Sequence, residues 1–120
     1  TIVCLNIYCQ EKKIFTKTTN SWCEMDFNGN VTSLIYHSSQ KFEIFFNQTT
    51  NNGYIIVTEY DTNEKWKMDL NSMYTRMVNN DKVYFFQSSD GAFKISTQSN
   101  LNGICICGYK SKKCTNFFYQ

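Results

Sequence analysis

The residues with the most chemistry per position in this chain are its cysteines. Three stand near the start, at Cys4, Cys9 and Cys23, and three near the end, at Cys105, Cys107 and Cys114. Thiolates in clusters bind zinc, and thiols in an oxidising compartment form disulfides. The spacings C-x4-C and C-x-C are not the usual C-x2-C zinc pair, and the sole histidine, His37, is remote in sequence. A disulfide framework is therefore the expected use of all six, with no metal and no cofactor. If all six pair, the odd number in each block requires at least one bridge between the two ends of the chain. In Ile104-Cys105-Ile106-Cys107 the alternation reads as a strand with both sulfurs on one face. Cys105 and Cys107 are then expected to reach different partners while Ile104 and Ile106 face the core.

Catalytic groups are sparse. His37 is the one candidate base for a Ser or Cys nucleophile. Carboxylate pairs stand at Glu24/Asp26 and Glu59/Asp61, and the first lies on one strand face, close enough for acid–base work. A lone strand histidine and a charged strand face are more commonly surface features, so the chain reads as non-enzymatic, with a small secreted hydrolase as the weakest alternative. The five glycines are scattered near turn positions and form no phosphate loop; Asp90-Gly91 reads as a hairpin turn rather than a calcium loop.

Binding chemistry is better represented. Lys12 and Lys13 follow Cys9, and Lys110, Lys112 and Lys113 precede Cys114. Bridging the two ends would gather these charges into a basic patch for an extracellular protein or an acidic polysaccharide. Phe45, Phe117, Phe118 and Tyr119 are the accompanying apolar candidates. Trp22, Tyr54, Tyr60, Trp66, Tyr84 and Phe86 are the aromatics that would line a pocket if the chain were a small-ligand carrier of lipocalin-like or avidin-like architecture. Asn30-Val31-Thr32 and Asn47-Gln48-Thr49 match the glycosylation signal beside turns.

The elements that must position these residues are strands. Ten Phe, eight Tyr and two Trp with no proline favour pleated, half-buried surfaces over helices. Alternation predicts strands over Thr1–Cys9, Trp22–Phe27, Val31–His37, Phe42–Asn47, Tyr54–Tyr60, Lys65–Leu70, Lys82–Gln87, Ala92–Thr97 and Ile104–Tyr109, with a last short one at Phe117–Tyr119. Glu11–Asn20 reads as a weak strand or a loop, and Met73–Val78 as a helical turn or two. Asn28-Gly29 is the strongest hairpin signal, expected as a type I′ turn, and Ser88-Ser89-Asp90-Gly91 the next. Connections are too short for helical crossovers. The expectation is one all-β domain over residues 1–120: an antiparallel meander of about eight short strands, closed into a small barrel or packed as a sandwich, its termini stapled by disulfides.

A net charge of +2 does not suggest nucleic acid, and no apolar run is long enough to span a membrane as a helix. A start at Thr1 and the cysteine content together fit a processed or excised extracellular chain. The function expected from sequence is a secreted effector, inhibitor or immune-modulating factor that binds an extracellular macromolecule.

Overall fold

A computed structural model describes residues 11–98 and 103–120. Eight strands form a closed antiparallel barrel in strict chain order: β1 (Lys12–Asp26), β2 (Tyr36–Asn47), β3 (Asn52–Glu59), β4 (Lys65–Val78), β5 (Asp81–Ser88), β6 (Phe93–Gln98), β7 (Gly103–Gly108) and β8 (Lys113–Phe118). The choice between barrel and sandwich is thus settled. The strand expected over Thr1–Cys9 lies outside the described residues.

Closure falls to β1, which is long enough to serve two neighbours. Its first part, Lys12–Trp22, pairs with β2, and its last part, Ser21–Asp26, pairs with β8. The beginning and end of the meander are therefore joined by a backbone ladder. The single disulfide among the described residues, Cys107–Cys114, lies inside the C-terminal block and staples the β7–β8 hairpin instead. Cys23 and Cys105 are buried thiols. Cys107 thus has a partner in its own block, and Cys105 has none among the described residues. Cys4 and Cys9 lie outside the described residues.

Several elements differ from expectation for identifiable reasons. Of the two readings of Glu11–Asn20, strand or loop, the strand holds, as the first part of β1. Its threonines suit a strand, and two bulges, between Lys13 and Phe15 and between Thr19 and Ser21, break the alternation that would have revealed it. Met73–Val78 is not helical but continues β4 past a bulge between Leu70 and Ser72. The turn after it has positive φ at both Asn79 and Asn80, 50° and 68°, the signature of a two-residue I′ hairpin. Asn28-Gly29 turns the chain too, but only Gly29 has positive φ, and the return pairs as an isolated bridge, Met25 to Val31. β2 accordingly starts at Tyr36, not Val31.

Inward alternation fills the barrel. Phe42, Ile44 and Phe46 of β2 meet Ile55 and Val57 of β3, Leu70, Phe86, Ile95 and Ile104, all at most 4% exposed. Phe42 and Phe117 rings lie 4.9 Å apart, and Phe46 and Phe86 rings 5.8 Å. Gly53 and Gly103 lie where the carbonyls of Phe45 and Phe117 occupy the space a Cβ would need, so each admits a close strand approach.

Candidate functional site

One end of the barrel opens into a recess of about 620 Å³. Its residues come from four strands. Trp22 and Glu24 belong to the β1 face opposite Cys23 and Met25. Tyr36, His37, Ser38 and Gln40 belong to the start of β2, Glu59 to the end of β3, and Thr115 and Phe117 to β8. Register explains the convergence: Trp22 pairs with both Tyr36 and Phe117, and Glu24 with Thr115. The Trp22 and Tyr36 rings stack with centroids 4.4 Å apart.

The polar part of the recess is rich in acceptors. Gln40 is 3% exposed, and its Nε2 donates to Ser38 Oγ at 2.7 Å and to Glu59 Oε1 at 3.3 Å. Its own Oε1 is buried without a hydrogen-bond partner. A buried acceptor left unpaired costs about 1–3 kcal/mol. With the Glu24 and Glu59 side chains on the same recess, the site offers acceptors beside aromatic faces.

Beside this recess runs the β1–β2 connection. It is held by specific bonds: Asp26 accepts from Asn28 N (2.9 Å), Asn30 N (2.9 Å) and Asn30 Nδ2 (3.1 Å). Thr32 N donates to Glu24 O at 2.9 Å, and Glu24 N donates to Ser33 Oγ at 2.8 Å. The Asn30 backbone and side chain hold the Asp26 carboxyl below the usual carboxylate range. Anchored in this way, the connection presents Val31, Leu34, Ile35 and Tyr36 to solvent, Leu34 at 79% exposure and Val31 at 61%. The apolar stretch that reads as a strand is an exposed ledge.

The candidates taken from sequence are distributed differently. Lys12 and Lys13 begin β1 and Lys113 pairs with Asp26 at its far end, so about 40 Å of strand separates them. The lysines form two groups, not one patch. Lys13 is bound to Glu43 at 2.6 Å and lies over the Phe45 ring, whereas Lys110, Lys112 and Lys113 are exposed. Phe117 is part of the barrel interior, Phe118 is half-buried, and Tyr119 is exposed. Of the six proposed pocket aromatics, Phe86 and Tyr84 belong to the core, Trp22 lines the recess, Tyr54 stacks on Phe45, and Tyr60 and Trp66 are exposed.

His37 does find a serine: its Nδ1 is 3.3 Å from Ser21 Oγ. That serine is fully buried and its hydroxyl also contacts Asn20 Oδ1 and Gln120 Oε1, so it is closed to a substrate. Asp26 is engaged in its turn, which leaves Glu24 without the partner its spacing suggests. Glu24 instead shares the recess with Glu59, as sequence reasoning missed. The only signal would have been the closure of the barrel itself.

No family model matches this chain, and no curated protein or solved structure matches it either.

Proposed function

We propose that this is a secreted, non-enzymatic binding protein whose partner is an extracellular protein presenting a basic side chain beside an apolar patch. The observation that carries the reading is the recess: the Glu24 and Glu59 side chains beside the stacked Trp22 and Tyr36. An arginine or lysine fits that set, since its N–H groups need acceptors and its charge is attracted by aromatic faces. Val31, Leu34 and Ile35 would pack around it as the apolar part of the contact. Held by hydrogen bonds before binding, the ledge loses little conformational freedom on association.

The Cys107–Cys114 disulfide supports an oxidising compartment for the working protein. The carrier reading is weaker, because the barrel is packed at mid-height by the phenylalanines of β2 and β5. An acidic polysaccharide is also weaker, because the lysines are split between opposite ends of β1 and the recess is acidic.

Capture of extracellular proteins by immobilised wild type, Leu34→Asp and the Lys110→Glu/Lys112→Glu pair tests this. Partners retained by the lysine variant and lost by Leu34→Asp support the reading. Loss on the lysine variant alone overturns it.

A further inference from the structure

The outward face of the β7–β8 hairpin concentrates the sulfur of the described chain. Register sets Cys105 opposite Asn116 and Cys107 opposite Cys114. Residues two apart on a strand return to the same face, so these four side chains occupy the corners of one square. Cys105 Sγ is 3.6 Å from Cys107 Sγ, and the three sulfurs lie within 4.8 Å of one another. None of the three cysteines is more than 7% exposed, and Asn116 is 1% exposed. Both polar atoms of the Asn116 carboxamide are buried without a hydrogen-bond partner.

Once Cys107 and Cys114 are reduced, a buried, unpartnered carboxamide beside three sulfurs is a donor set for an acceptor of electron pairs. In a tetrahedral thiolate site with metal–sulfur bonds of about 2.3 Å, neighbouring sulfurs stand about 3.8 Å apart. The spacing of Cys105 and Cys107 is close to that edge. We propose that the reduced β7–β8 hairpin is a binding site for a thiophilic divalent ion of the zinc or cadmium type, with Cys105, Cys107 and Cys114 as thiolate ligands and the Asn116 carboxamide oxygen at the fourth corner.

The site is gated by redox state, because Cys107 and Cys114 are joined as a disulfide. A dithiol reductant opens it: the reductant gives two electrons and two protons, becomes a disulfide itself, and leaves two thiols on the hairpin. Binding of the ion then releases one proton from each of the three thiols. Lys94 pairs directly with Cys107 across β6 and β7 and offsets the net negative charge of a divalent ion held by three thiolates. Oxidised and metal-bound forms are mutually exclusive states of the same hairpin.

The test uses the full chain, reduced, freed of reductant without oxygen, and titrated with Cd²⁺ while the ultraviolet thiolate-to-cadmium band is followed. The expected result is saturation at one equivalent in wild type, in Cys23→Ser and in Cys4→Ser/Cys9→Ser, and loss of that equivalent in Cys105→Ser and Cys114→Ser and in unreduced wild type. Equal binding by Cys105→Ser or by unreduced protein overturns the proposal, as does loss in Cys4→Ser/Cys9→Ser alone. ¹¹³Cd resonance of the wild-type complex needs no variant: a three-sulfur shift supports the site, and a shift for two or fewer sulfurs overturns it.

Discussion

Cys23 of β1 and Cys105 of β7 face the same residue, Asn116 of β8, from its two sides. Two inter-strand spacings put their Cα atoms roughly 9–10 Å apart, beyond the reach of about 7 Å that a disulfide allows. The intervening strand therefore keeps these two thiols separate. Burial raises both above the ordinary thiol range, which lowers their reactivity further. Alkylation of the folded, unreduced protein is predicted to leave Cys23 and Cys105 unmodified, and alkylation after denaturation to label both. Peptide mapping should recover Cys107 linked to Cys114. A peptide joining Cys23 or Cys105 to any other cysteine would contradict this.

Core and surface aromatics should separate sharply. Phe42 is fully buried against Phe117, whereas Trp66 is 39% exposed. Phe42→Ala should cost about 3–5 kcal/mol in urea denaturation. Trp66→Ala should stay within about 1 kcal/mol. Similar losses for the two would mean that Phe42 does not fill the barrel interior.

Acid should weaken the fold through carboxylates that are hydrogen-bonded in it. Ser88 Oγ and then Ala92 N hold Asp90 below its ordinary value, and Lys13 does the same for Glu43. A depressed folded value means that the stabilisation is present above the unfolded carboxylate range of about 3.9–4.3 and is lost as pH falls through the lower folded values. The urea midpoint is therefore predicted to drop between pH 5 and pH 2, taken as roughly the span bracketing those values. Asp90→Asn should start lower at neutral pH and show a shallower acid limb. An unchanged limb would remove Asp90 as a contributor.

The two sequons are not equivalent. Asn47 is 6% exposed, and its Oδ1 accepts from Thr49 N at 2.9 Å and Thr50 N at 3.3 Å, which fixes the β2–β3 turn. Asn30 is exposed on the β1–β2 connection. Expression through a eukaryotic secretory pathway should add a glycan at Asn30 and not at Asn47. The glycosidase-sensitive mass should vanish in Asn30→Gln and persist in Asn47→Gln; the reverse pattern would contradict the turn geometry.

Much of the barrel is legible in the sequence, because alternation at Phe42–Phe46 reports which face is buried and the alternating runs at Lys65–Leu70 and Ile104–Cys107 mark strands. Alternation fails where a bulge shifts the phase, as at Asn20 and Asn71, and where apolar residues remain exposed, as at Val31 to Tyr36. The recess is illegible for a different reason. Glu24, Gln40 and Glu59 lie on three strands, and only the register that pairs Trp22 with Tyr36, and Gln40 with Glu59, brings them together. The cysteine parity rule is sound arithmetic but assumes that every cysteine pairs, and a buried thiol such as Cys105 has no need to.

The recess is tested most directly by measuring affinity for the captured partner with Trp22→Ala, Tyr36→Ala and Gln40→Leu beside wild type. Truncating a central aromatic anchor costs about 2 kcal/mol or more, roughly a thirtyfold loss. Trp22→Ala and Tyr36→Ala should each show such a loss, Gln40→Leu a clear loss, and Lys112→Ala near-wild-type binding. Unchanged affinity in all three recess variants, with loss in Lys112→Ala, would contradict binding at the recess.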